Sequence, residues 1–174
     1  MSPISIVVLA LCGLAVGTES QVPRLDGRIV GGDPTTVEEL PYQLSLRKRD
    51  YHWCGASIIS PYHALTAAHC ISNGSPDGVS MHAGTSYQNV PGSKHNAVKI
   101  TIHPQYQGSD YDYAIVEVDT PFPIGQSGVQ SIELCSVEPS AGENAVISGW
   151  GALSVSIILI IIYLEQICQS LKGF

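Results

Sequence analysis

The sequence predicts an all-β fold of short antiparallel strands, arranged as a barrel or a sandwich. Three observations carry that reading. Apolar and polar residues alternate with a period of two in several stretches, as in strands that bury one face. Turn clusters such as Ser72-Asn73-Gly74-Ser75-Pro76-Asp77-Gly78 and Pro91-Gly92-Ser93 lie between those stretches. Helical periodicity is absent before residue 150.

The chain opens on an apolar stretch, Ile4 to Val16, broken only by Ser5 and Gly13. It ends in Ala15-Val16-Gly17, which fits the small-x-small rule for signal cleavage, so residues 1–17 are expected to be a secretory leader. The stretch is short for a bilayer span, and no membrane contact is expected of the mature form. Thr18 to Arg28 is a polar segment containing Pro23 and ending on a basic residue. Strands follow. Tyr42, Leu44 and Leu46 alternate with Gln43, Ser45 and Arg47. Val79, Met81 and Ala83 alternate with Ser80 and His82, and Val98, Ile100 and Ile102 with Lys99, Thr101 and His103. Tyr113-Ala114-Ile115-Val116-Glu117-Val118 is a further apolar run. Pro121, Pro123, Gly125 and Gly128 mark a linker over residues 121–142. Residues 143–152 read as the opening strand of a second unit. Residues 153–174 form a divergent Ile-rich tail, which reads as a buried strand or as the product of a retained intron or mis-joined exon.

The net charge is −7, and removing residues 1–28 takes away Glu19, Asp26, Arg24 and Arg28, which leaves it unchanged. The one basic cluster, Arg47-Lys48-Arg49, is expected at a solvated hairpin tip. That argues against nucleic acid as a partner, because phosphate binding needs a positive patch. With Cys12 gone in the leader, Cys54, Cys70, Cys135 and Cys168 remain, an even number that reads as disulfides in an oxidising compartment. The rival is a metal site made from His52, Cys54, His69 and Cys70. No Cys-x-x-Cys spacing supports it, and no metal is expected.

Four motifs carry chemistry: Arg28-Ile29-Val30-Gly31-Gly32, Thr66-Ala67-Ala68-His69-Cys70, Asp112-Tyr113-Ala114-Ile115 and Ser148-Gly149-Trp150-Gly151. In this order and spacing they resemble the trypsin/chymotrypsin family of secreted serine proteases, over residues 29 to about 152. The resemblance selects the barrel. It implies a six-stranded antiparallel Greek-key barrel over residues 29–120, the first half of a chymotrypsin-like double barrel, with an incomplete second barrel after the linker. It implies His69 as the base that takes and returns a proton, since a neutral imidazole titrates near physiological pH. Asp112 is implied as the carboxylate that orients His69, with Asp110 as its competitor. Residues 18–28 become an activation propeptide, cut after Arg28 by an activating protease to free the α-amine of Ile29. The family pair that brackets the histidine loop implies a Cys54–Cys70 disulfide. The expected partner is a protein or peptide substrate, the expected location extracellular, and no cofactor is implied. Some members hold calcium in a loop, but no Asp or Glu occurs between Val79 and Ser109 to ligate it. His52, His63, His82, His95 and His103 lack any such context and are expected at surface or strand positions.

The family's nucleophile segment, Gly-Asp-Ser-Gly-Gly, does not occur in the 174 residues, and no Gly-x-Ser-x-Gly elbow replaces it. The expectation is a trypsin-like endopeptidase chain truncated before its catalytic serine and inactive as given. The alternatives are a non-catalytic secreted homologue that acts by binding, or an unstable truncated by-product. Asn73-Gly74-Ser75 is a candidate N-glycosylation site.

Overall fold

The structure is a computed structural model, and it describes residues 32–137 and 144–151. The expected leader, the Arg28–Ile29 cleavage site, Cys168 and the Ile-rich tail lie outside the described residues.

Among the described residues six strands form the fold: β1 (Gln43–Lys48), β2 (Tyr51–Ser60), β3 (His63–Thr66), β4 (Val79–Ala83), β5 (Ser93–Ile102) and β6 (Ala114–Val118). All pairings are antiparallel, and the order β1-β2-β3-β6-β5-β4 closes on itself where β4 returns to β1. A strand that comes back beside the first of three hairpin-linked strands is the Greek-key arrangement. The sheet is therefore the barrel of the two shapes that alternation allowed. The β1–β2 turn places Arg49 and Asp50 at positive φ, 50° and 65°, as a two-residue hairpin requires.

The core is the inward face of each strand. Leu44 and Leu46 on β1 stand opposite Ala56 and Cys54 on β2, while Leu46 also faces Met81 on β4. Ile58, Ala64, Ala68, Cys70, Ile71, Ala83, Ala114 and Val116 are also fully buried. Gly92 marks a close approach at the end of β4. A Cβ there would lie 1.8 Å from the Ala83 carbonyl oxygen, so only glycine fits that backbone.

Several sequence expectations are corrected here. β2 and β3 are strands beyond those expected. β2 alternates in burial from Cys54 to Ile58, but its small residues hide that pattern in the sequence, and a bulge shifts its register to β3 after Ile58. β1 and β4 are buried on both faces rather than one. The outward residues Gln43, Ser45 and Arg47 are roofed by the loop at residues 85–90 and by residues 147–150. Arg47 thus leaves the expected solvated tip. Val98 was expected to point inward, but the register shifts between Ala97 and Lys99, and Val98 is the extra, half-exposed residue of that bulge. His82 and His95 lie on strands β4 and β5, within the surface-or-strand expectation, and both are buried; His103 is buried just past the end of β5, at neither kind of position.

The linker is docked rather than loose. Phe122 and Val129 bury in the barrel core, Gln130 N–H donates to Pro41 O at 2.9 Å, and Ile132 N–H donates to Ile58 O at 2.9 Å. Residues 144–151, expected as an opening strand, form no sheet pairing with the described residues. They run as irregular chain against β1.

Candidate active site

His69 owes its position to the end of β3. Thr66 Oγ1 donates to Gly55 O at 2.8 Å, and the chain then turns through a short 3-10 helix, Ala68–Ile71. Ala68, Cys70 and Ile71 face the core, which leaves His69 as the outward residue of that turn, its side chain 41% exposed. Small alanines before His69 allow this tight packing. Cys70 is joined to Cys54 by a disulfide with a Cα–Cα distance of 6.3 Å, so the turn is tied covalently to β2. Trp53 adds a second tie, donating from Nε1 to Cys70 O at 3.1 Å.

Asp112 arrives from the start of β6 through strained backbone. Tyr111 has φ 53°, a left-handed conformation uncommon for a bulky residue. Its ring stacks on buried His103 at 4.8 Å, and its carbonyl accepts the Tyr113 N–H at 2.8 Å. Asp112 sits at the apex of this turn. Its Oδ2 lies 2.6 Å from His69 Nδ1, and its Oδ1 accepts the His69 backbone N–H at 2.7 Å. One carboxylate therefore grips the histidine at both ring and main chain. An ionised carboxylate can only accept, so the ring proton belongs on Nδ1 and the lone pair on Nε2, which lies 3.5 Å from the Cys70 sulfur. Burial, and then the Asp112 charge, raise the pKa of nearby Tyr106.

The structure brings together His69 and Asp112. Asp110, the competitor, spends its main chain on a bridge to Gln107 instead. The ligand atoms of Cys54, His69 and Cys70 lie within 4.8 Å of one another, but the two sulfurs are bonded to each other and offer no thiolate. Cys135 is also disulfide-bonded. Asn73 is exposed on a turn in which its Oδ1 accepts the Ser75 N–H at 3.4 Å. The fourth motif packs away from the pair. Ser148 Oγ donates to Gln43 Oε1 at 2.6 Å, and Trp150 Nε1 donates to Ser86 O at 3.0 Å. A cavity of about 140 Å³ lies between that segment, Val37 and Gln43, and neither His69 nor Asp112 lines it.

Tyr111 and Trp53 are contributors that sequence reasoning missed. Nothing in a sequence flags a left-handed tyrosine, whereas an aromatic beside Cys54 was at least visible.

The model of the trypsin family matches residues 29–156. The chain belongs to the trypsin family. Hypodermin-B of Hypoderma lineatum is 35% identical over 153 residues, covering 84% of this chain and 59% of that protein. Trypsin delta of Drosophila melanogaster is 35% identical over 154 residues, covering 86% of this chain and 60% of that protein. This trypsin-family chain thus spans about three fifths of the curated relatives it matches. Among solved structures, the scabies mite inactivated protease paralogue S-D1 superposes with a TM-score of 0.61 at 27% identity, over 67% of this chain and 51% of that one. The trypsin-family barrel holds, among the described residues, no helix long and apolar enough to cross a membrane.

Proposed function

We propose that this chain carries the base and the orienting acid of a secreted trypsin-like serine endopeptidase. The observation that supports it most is the double grip of Asp112 on His69, at Nδ1 and at the main-chain N–H. In that reading Nε2 takes the proton of a serine hydroxyl as the hydroxyl attacks a peptide carbonyl, then returns it to the leaving amine. Asp112 holds the ring's tautomer and stabilises the imidazolium. Residues 1–17 serve as leader and residues 18–28 as propeptide, and an activating protease cuts between Arg28 and Ile29. N-terminal sequencing of material treated with trypsin should begin at Ile29; a first cut elsewhere removes this part of the reading. A fall in mass on glycosidase treatment would place a glycan on Asn73, and an unchanged mass would remove it.

A second reading has its own support. The 174 residues contain no Gly-Asp-Ser-Gly-Gly, and one solved neighbour is described as an inactivated protease paralogue. On that reading the barrel acts by binding. Transcript sequencing across the codons for Ser140 to Phe174 separates the two. Reads that continue from about Ala152 into a Gly-Asp-Ser-Gly-Gly segment support the protease, and hydrolysis by that product should vanish in His69→Ala. Reads that all carry the Ile-rich tail favour the binding protein. A polypeptide of these 174 residues should take no label from an active-site phosphonate; labelling that His69→Ala abolishes would overturn its expected inactivity.

A further inference from the structure

Arg47 occupies an outward position on β1, yet only 5% of it is exposed. Burying a guanidinium is costly unless its donors are met. Nη2 donates to Gln88 O at 2.7 Å and to Val90 O at 3.4 Å, and Nη1 donates to Asp50 O at 3.1 Å. Nε reaches Ser45 Oγ at 3.4 Å. Its strongest partners are main-chain carbonyls. Among the described residues the ion pairs are His69–Asp112 and Lys94–Asp50, so no carboxylate is paired with this cation. Asp50 gives Arg47 its carbonyl and turns its side chain to Lys94 at 2.6 Å.

The loop that receives the guanidinium, residues 85–90, braces itself and two other segments. Thr85 Oγ1 donates to Val90 O at 2.9 Å, and Val90 N–H donates to Tyr87 O at 3.2 Å. Ser86 Oγ accepts the Val37 N–H at 3.0 Å, while Ser86 O accepts Trp150 Nε1 at 3.0 Å. Carbonyls converging on one buried positive charge are the environment of an oxygen-ligated cation.

We propose that Arg47 is the built-in cation of the 85–90 loop, the charge that gathers its carbonyls and thereby fixes, through Ser86, the placement of Val37 and Trp150. A bound metal ion would use the same kind of oxygen ligands. A guanidinium attached to β1 does so with no ion to capture or lose, so the order of this loop is independent of metal concentration. Truncating the side chain leaves a carbonyl-lined hole whose matching ligand is a small alkylguanidinium.

Tyr87 is half-exposed and provides the readout, as an aromatic-selective protease cuts after it once the loop opens. In the full chain, Arg47→Ala should raise the rate of that cut roughly tenfold, the effect of losing charge-assisted hydrogen bonds. Millimolar ethylguanidinium should restore protection, and the same concentration of potassium chloride should not. Protection of the unmutated chain should be the same in calcium and in a chelator. An unprotected loop in chelator, an Arg47→Ala chain as resistant as the parent, or failure of ethylguanidinium to rescue would each overturn the proposal. Should Arg47→Ala not fold, the calcium and chelator comparison on the parent chain still decides.

Discussion

His52 and His82 show how burial sets chemistry at single residues. Burial first, and the nearby Arg47 charge second, hold both imidazoles down to about 4. Lys94 also disfavours the charged form of His82, while Asp50 favours it. A histidine that titrates near 6.5 when unfolded and near 4 when folded takes up its proton first in the unfolded chain. Stability therefore stays full above about pH 6.5 and drains away as pH falls from there toward about 4. The unfolding free energy from urea titrations should fall by an amount on the order of a few kcal/mol between neutral and mildly acidic pH. His82→Gln should flatten the slope, and an unchanged slope would show that this ring takes no part. Gly92 gives a steric counterpart. With Ala83 O in the way of any Cβ, Gly92→Ala should destabilise by about 2 kcal/mol or more, measured by urea unfolding.

The elements divide by how local their causes are. β1, β4 and β5 were legible because alternation is written in neighbouring residues, β6 because it is an apolar run, and the turns between them because glycine, proline and asparagine punctuate the chain. β2 was not legible, since Gly55, Ala56 and Ser57 give no periodic contrast and its partners are set by closure of the barrel. The bulge at Val98 was equally hidden, as it exists only relative to β6. His69 and Cys70 were legible from their motif, and Asp112 was legible as a candidate. The backbone twist at Tyr111 that delivers Asp112 was not, because the stacking on His103 that accompanies it is a tertiary contact. The Cys54–Cys70 link belongs to this scale too. It closes a loop with a sequence separation of 16, so replacing both cysteines by alanine should lower stability by about 3 kcal/mol on the chain-entropy account. Thermal unfolding with and without reductant would measure it. A parent chain indifferent to reductant would mean that the barrel, not the bridge, holds the histidine turn.

At the scale of the whole molecule, a closed barrel carries a polar layer on the outer faces of β1 and β4, and residues 144–151 help to roof it. That segment rests on Ser148 with Gln43, Trp150 with Ser86, and the edge of Trp150 against His52 at 5.2 Å. These contacts are few beside the continuous ladders of the barrel, so the segment should open before the sheet does. Trp150→Ala should therefore cost about 1 kcal/mol and expose residues 144–151 to proteolysis, with the barrel still resistant. Collapse of the whole fold in that variant would show that the segment is integral to the core. Val137, Val146 and Ile147 are exposed apolar residues along the same stretch of chain.

If Asp112 prepares His69 as a base, the tautomer of the neutral His69 ring reports it. Nitrogen and proton NMR of the labelled chain, at a pH where the ring is neutral, reads which nitrogen holds the proton. The expected result is a proton on Nδ1, hydrogen-bonded to Asp112, with Nε2 unprotonated, and a shift of that preference in Asp112→Asn. A neutral ring protonated on Nε2 in the unmutated chain, or one unchanged by Asp112→Asn, would contradict it.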